Sequence, residues 1–209
     1  MYQAKAVADG TIVQPAPGIN ATCPLCDSPV TPKCGDINVW HFAHKAGADC
    51  DPWSEPESEW HRGWKSLVPA ERREVVIGNH RADILAADGT VVELQHSAIS
   101  TDEIGTREAH YEHMVWIFDI ADARNRIKLE RSGPDGYRYF KWKQRRKHIS
   151  AAGASNYISV YLDFGNGQLL EIDYFPDEPD NDGYHGGGTL IRRADYVAKI
   201  NRPYRGTTR

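Results

Sequence analysis

Apolar and polar residues alternate on either side of Asp9-Gly10, a dipeptide suited to a tight turn, so residues 1–15 are predicted to form a hairpin. Ser54-Glu55-Pro56-Glu57 has the spacing of a capping box with proline inside the first turn. It predicts a helix from near Ser54 that stops by Pro69, with Trp60, Trp64, Leu67 and Val68 among its apolar positions. Three extended runs rich in Val and Ile follow at 74–78, 81–87 and 91–96. A second capping box, Ser100-Thr101-Asp102-Glu103, opens a helix to about His113, and the apolar run 114–120 reads as a buried strand. The middle of the chain is therefore helix, three-strand meander, helix, strand.

Further on, runs 126–130 and 137–142 pair across Gly133-Pro134-Asp135-Gly136, and 157–164 pairs with 168–175 about Gly165-Asn166-Gly167. Residues 176–189, acidic and then glycine-rich, are expected to form a flexible loop. The last twenty residues are expected to be a short helix or strand with a basic tail. No internal repeat is visible.

Hydrophobic residues make up 40% of the 209 and charged residues 26%, ordinary globular usage that excludes a largely disordered chain. No run reaches the roughly 20 apolar residues of a membrane helix. The polar start MYQAKAVADG lacks the apolar stretch of a signal peptide, so a soluble, cytoplasmic protein without a membrane partner is expected. The net charge of −4 gives no overall basic field of the kind that marks a nucleic-acid binder. The distribution alters that picture. Residues 137–148 hold six Lys/Arg and no acid, whereas residues 171–182 hold six acids and no base. The basic run interleaves aromatics with cations, a composition suited to neutralising a phosphate backbone and stacking on bases; the acidic run could occlude it as a DNA mimic.

All four cysteines fall between 23 and 50, in a loop-rich segment that also holds His41 and His44. The C-x2-C pair Cys23/Cys26 puts two thiolates on one tight knuckle, suited to two corners of a tetrahedron around zinc. A second pair must come from further on: His44 and Cys50 offer one such pair, with His41 and Cys34 as spares. Disulfides do not suit a chain without a secretion signal. With six candidates, all four positions can be closed, which favours structural over catalytic zinc.

The stretch 80–100 carries a second constellation. If Ala87-Asp88-Gly89 is a three-residue hairpin loop with Gly89 in the left-handed position, Asp83 lies opposite Glu93 on one face and Arg81 opposite Gln95. Ala82, Ile84, Val92 and Leu94 then share the other, buried face. Two opposed carboxylates repel, and a divalent cation reverses that sign. Mg2+ or Mn2+ accepts a few carboxylate oxygens and keeps waters, one of which can attack a phosphodiester.

Asp-x9-Glu-x-Gln on a meander between two helices resembles the PD-(D/E)xK nuclease core, with glutamine where lysine usually stands. More narrowly, CPLC, HFAH followed by Cys50, His61-x3-Lys65, RADIL, ELQHSAIS and Arg107-x3-Tyr111 leading into VWIFD resemble the competence protein CoiA-like family. These segments span about residues 20–120. The resemblance implies a zinc-binding module ahead of a restriction-endonuclease-like domain acting on DNA. It makes Asp83 and Glu93 ligands of a catalytic Mg2+ or Mn2+ and puts Gln95 in the lysine's place. Cys23, Cys26 and Cys50 match the zinc module together with a histidine of HFAH, His44 being preferred and His41 left to a supporting contact. Relatives carry an acid just before the helix histidine; here Trp60 stands there and Glu59 one place earlier. Gln95 offers an amide donor and acceptor but no charge, so Lys65, Arg81 or Arg107 must supply any cation.

The expected architecture is α+β in three parts. Residues 1–52 form the hairpin and a zinc-ribbon-like module, 53–122 the PD-(D/E)xK-like core, and 123–209 a β-rich extension. The expected activity is that of a metal-dependent deoxyribonuclease acting on double-stranded, single-stranded or branched DNA, as a monomer or homodimer. Asp83, Glu93 and Gln95 stand at its centre, with Glu59, His61 and Lys65 assisting. The alternative is a catalytically inactive DNA-binding accessory that keeps the nuclease-like fold. His96, on the face opposite Glu93, is expected to be structural.

Overall fold

The computed structural model describes residues 1–45, 50–53, 56–131, 135–143, 147–153, 158–175 and 183–203. The chain is α+β, as expected, and divides into two compact units, Met1–Leu85 and Ala86–Arg209.

In the first unit the predicted hairpin is present: β1 (Ala4–Ala6) runs antiparallel to β2 (Ile12–Val13). With β3 (Ala21–Thr22), β4 (Pro29–Lys33) and β5 (His41–Ala43) they form one sheet in the order β2-β1-β3-β4-β5. Its core is small: Ala4, Ala21, Cys23, Val30 and Phe42. Helix α1 (Glu59–Lys65) follows, then the antiparallel pair β6 (Arg73–Ile77) and β7 (His80–Leu85).

Helix α1 begins later than its sequence predicts. Ser54 and Glu55 of the expected capping box lie outside the described residues; the cap is Ser58, whose Oγ accepts from the His61 N–H at 3.3 Å. Glu57 does not cap because its carboxylate is drawn to Lys65, 3.1 Å away.

The second unit is a seven-stranded sheet in the order β10-β11-β14-β13-β12-β9-β8. These strands are β8 (Val91–Gln95), β9 (Met114–Asp119), β10 (Ile127–Arg131), β11 (Tyr137–Trp142), β12 (Ser159–Asp163), β13 (Gln168–Tyr174) and β14 (Tyr184–Arg192). β8, β9 and β12 run parallel, which requires long crossovers. Helix α2 (Thr101–His110) supplies the first, capped by Ser100 as predicted, with its Oγ accepting from the Glu103 N–H at 3.0 Å. It stops short of His113 because the His113 carbonyl accepts from Val91 N, at the start of β8. Helices α3 (Lys147–Ala151) and α4 (Arg193–Asn201) complete the unit. Both predicted C-terminal hairpins are formed, so strands from the expected extension share a sheet with β8 and β9.

The glycine-rich part of the expected loop 176–189 is instead β14, between β11 and β13, while its acidic part lies outside the described residues. Glycine usually weakens a strand, but here neighbours fill the space a side chain would need. A Cβ on Gly186 would come within 2.3 Å of the Phe140 ring, one on Gly187 within 2.0 Å of the Tyr137 hydroxyl, and one on Gly188 within 2.2 Å of the Glu171 carbonyl oxygen.

Candidate functional site

The β3–β4 hairpin carries the C-x2-C knuckle. Ala21 and Thr22 pair with Val30 and Pro29, Cys23 N donates to Ser28 O, and Asp27 takes the left-handed conformation (φ 54°) that closes the turn. The Leu25 N–H points at Cys23 Sγ, 3.4 Å away. β5, pairing with β4 through Thr31 and Ala43, delivers His44 just beyond its end. Together with Cys50 these bring one ligand atom each from Cys23, Cys26, His44 and Cys50 to within 4.8 Å of one another. Cys23 and Cys50 sulfurs stand 3.8 Å apart, and Cys26 Sγ lies 3.3 Å from His44 Nε2. Two thiolates on a tetrahedral zinc at about 2.3 Å are themselves about 3.8 Å apart, so the donor set fits that ion.

Electrostatics favours the same fit. Burial pushes the Cys50 thiol up to about 12, helped by its hydrogen bond with Cys26 and the neighbouring Cys23. Burial also acts to raise Cys26, but hydrogen bonds from Ser28 pull it down to about 6. Crowded thiols resist shared ionisation until a cation joins them. Cys34 lies outside the set, and His41 Nδ1 is hydrogen-bonded to the Val39 carbonyl at 2.8 Å.

The residue after Cys50 joins the knuckle to β7. Asp51 Oδ1 lies 3.0 Å from His80 Nδ1, and its Oδ2 accepts from the Arg81 N–H at 3.0 Å. The Trp53 ring stacks on His80 at 3.2 Å.

Two residues further along β7, Asp83 meets the end of α1. Lys65 Nζ lies 2.9 Å from Asp83 Oδ1, 3.1 Å from Glu57 Oε2 and 3.2 Å from Glu74 Oε1. Burial works against the ammonium charge, but Asp83, Glu74 and Glu57 outweigh it and hold Lys65 well above the usual lysine range. Burial likewise would raise the Glu74 carboxyl, yet Lys65 and Arg81 hold it below its ordinary value. Glu74 has φ 49°, and its carboxylate also accepts from the Tyr2 and Gln3 N–H groups at 2.8 Å. Asp83 keeps 20% of its side chain exposed against 3% for Glu57 and Glu74. It is thus the acid of this cluster best able to offer an oxygen to an incoming ion.

Sequence reasoning placed Lys65 near a carboxylate but missed Glu57 and Glu74. The sequence spacing makes Glu57 part of a cap and Glu74 the start of an extended run, so neither is legible there as a partner of Lys65. Glu59 is exposed at the first position of α1, and His61 is buried with Nδ1 2.7 Å from Ser58 Oγ.

In the second unit, Glu93 on β8 is buried and its Oε2 accepts from Arg107 Nη1 at 2.7 Å. Burial disfavours the guanidinium charge, but Glu93 and Glu103 raise Arg107 above its ordinary value, and the group sits 5.8 Å from the centre of the Trp116 ring. Gln95 is buried, and its Nε2 donates to the Ser97 carbonyl at 2.9 Å. His96 Nδ1 lies 2.8 Å from Asp119 Oδ2. Asp83 and Glu93 belong to different units, and each acid has a cation of its own. Metal is therefore not the sole agent that can make either acid tolerable, contrary to the simplest reading of their repulsion.

Residues 20–52 match the family model described as competence protein CoiA, N-terminal domain, a segment that contains the whole Cys3His cluster. No curated protein matches the chain, and no solved structure does.

Proposed function

We propose, from the match of residues 20–52 to the competence protein CoiA N-terminal domain, that the chain is a CoiA-like, metal-dependent DNA nuclease in a competence-related role. The zinc set of Cys23, Cys26, His44 and Cys50 closes all four positions and is structural. Hydrolysis falls to Asp83 and Glu93.

The observation that carries this reading is the loop between their strands. Ala86 N donates to Thr90 O at 2.8 Å, Gly89 N donates to Ala86 O at 3.0 Å, and Gly89 has φ 91°. These are the features of a three-residue connection over Ala87-Asp88-Gly89. That connection is the premise of the register expected from the sequence, in which Asp83 stands opposite Glu93, and the proposal depends on it. Mg2+ or Mn2+, when bound by the two acids, supplies an activated water and steadies charge on the phosphate. Lys65 orients Asp83 from 2.9 Å and stands as the positive charge that Gln95 lacks. Gln95 orients water or phosphate through its amide, and His61 supports the α1 side. Glu57, just ahead of the Ser58 cap, takes the place of the exposed Glu59 as the acid beside Lys65.

A second reading is favoured by one observation: Lys65 and Arg107 already neutralise Asp83 and Glu93. Such a chain keeps DNA affinity without turnover. The experiment incubates the zinc-loaded chain with labelled linear, circular and branched DNA, with and without Mn2+. Asp83→Asn and Glu93→Gln, which preserve shape, are run beside it. The expected result is Mn2+-dependent cleavage that falls by about 100-fold or more in either variant, assayed well below the melting temperature of each, because each change also takes a charge partner from Lys65 or Arg107 and lowers stability. Binding without cleavage under any divalent ion establishes the accessory reading; cleavage at full rate by both variants sinks the site.

A further inference from the structure

We propose that Asp51 is a positioning residue through which the zinc knuckle holds Asp83 and Lys65 in place, so that the zinc set shapes the catalytic carboxylates as well as the fold of its own module. The inference rests on the reading of Asp83 as a metal ligand. Its test also carries a readout that needs no bond to be cut.

Two of the four ligands of the zinc set stand at the head of short hydrogen-bonded paths that end on the Lys65 cluster, and both paths lie wholly within residues 1–85. The first starts at Cys50. Asp51, the next residue, keeps 4% of its side chain exposed; its carboxylate accepts from Trp53 N at 3.1 Å and Arg81 N at 3.0 Å, and lies 3.0 Å from His80 Nδ1. It therefore grips the first two residues of β7. Arg81 in turn places Nε 3.9 Å from Glu74 Oε1, and Asp83 follows Arg81 by two residues, on the same face of the strand.

The second path starts at His44, just past β5. Phe42 N of β5 donates to Met1 O at 2.9 Å, and the next two residues give Tyr2 N and Gln3 N to the Glu74 carboxylate at 2.8 Å. Gln3 Nε2 also donates to Ala70 O at 3.1 Å and Arg73 O at 2.8 Å, which fastens this segment to the start of β6. Glu74 holds φ 49°, a strained conformation for a glutamate, so its place depends on these bonds and on Lys65. Glu74 and Asp83 lie between the paired residues Arg73–Ile84 and Val75–Ala82 and share Lys65 Nζ, at 3.2 and 2.9 Å. A shift at either end of β7 or in Glu74 thus reaches Lys65, and through it Asp83.

The test is nuclear magnetic resonance of the zinc-loaded full chain, isotope-labelled at its lysine nitrogens, beside Mn2+ titrations of DNA cleavage. A buried ammonium held by three carboxylates exchanges its protons slowly, and the Lys65 signal is identified by its loss in Lys65→Met. Asp51→Asn keeps the size of the side chain but sets an amide donor where a carboxylate oxygen accepted. It should retain one zinc per chain, move the Lys65 signal, and raise the Mn2+ needed for half-maximal cleavage by about 10-fold at an unchanged KM for DNA. His80→Phe keeps a ring on Trp53 but loses one contact to Asp51, and should move both readouts less in the same direction. It decides the matter if Asp51→Asn loses zinc. Asp9→Ala also unties a carboxylate that braces the module, at the β1–β2 turn where it accepts from Thr11 N and Thr11 Oγ1, but it lies on neither path and should move neither readout. A Lys65 signal that stays in place in Asp51→Asn, or that Asp9→Ala moves as far, overturns the proposal. A wild type that neither binds Mn2+ nor cleaves DNA sinks the nuclease reading, and the Lys65 signal then decides alone whether Asp51 positions the cluster.

Discussion

Residues 1–85 enclose a lysine ringed by three carboxylates and a cluster of four metal-type ligands, whereas residues 86–209 enclose mostly rings and branched aliphatics. Among the described residues, of the twelve largest fully buried side chains Trp64, Phe42 and Ile84 belong to the first unit, and the second holds Trp116, Trp142, Tyr161, Phe118, Phe140 and four more. The contrast concerns what each unit needs in order to stay folded. Small domains bury too little apolar surface to be stable on that alone, and metals or other ties make up the difference. The first unit depends on partners for its charges. The second depends on fit, down to a strand where three glycines admit their neighbours.

Withdrawal of zinc is the widest test of that difference. Structural zinc in small modules contributes on the order of 10 kcal/mol, more than the five-residue core beneath the knuckle can replace. A chelator, or Cys23→Ser with Cys50→Ser, should abolish hydrogen-exchange protection across β1 to β5 while β12 and β13 keep theirs. Protection that survives chelation in β1 to β5, or a metal content well below one zinc per chain, would remove the distinction.

Lys65 comes next. Lys65→Met leaves Glu57, Glu74 and Asp83 without their shared cation and should cost about 3–5 kcal/mol in urea unfolding at neutral pH. The sign with pH follows from linkage. Glu74 is held below its ordinary value of 4.5, so its contribution is complete above about pH 4.5 and is lost as pH falls through its folded value. Lys65 is held above 10.5, so its contribution is complete below that and fades only in strong alkali. The gap between wild type and Lys65→Met should therefore be flat from about pH 5 to 10 and shrink below about 4.5. A gap that instead varies between pH 6 and 8 would mean that a histidine governs the cluster.

The smallest effects discriminate within the second unit. Gly188→Ala drives a methyl against the Glu171 backbone and should cost about 1–3 kcal/mol. Gly105→Ala on α2, where nothing lies within 4 Å, should stabilise by up to about 1 kcal/mol. Equal melting temperatures for the two variants would show that close packing along β14 is not what holds this sheet.

Local signals were read well where one short-range rule governs. Asp9-Gly10, Ser100 to Glu103, Gly165-Asn166-Gly167 and the loop ending at Gly89 each need only a cap or a left-handed residue, and each forms the element its spacing predicts. Failures came where a distant partner intervened. Ser54 to Glu57 has the letters of a cap, but Glu57 serves Lys65 eight residues away, leaving the cap to Ser58. Gly186 to Gly188 read as a loop because nothing nearby in sequence announces the rings and backbone that lie against them.

The chain's own order of residues was enough to set its turns, its strand pairs between adjacent runs and the candidate zinc ligands, because those depend on spacing over a few residues and on ligand chemistry. Only the tertiary structure decided which histidine joined three cysteines, which carboxylates surround Lys65, that Arg107 is spent on Glu93, and that a glycine run is a strand. Such choices are made by desolvation and packing between residues far apart along the chain, quantities that no local pattern carries.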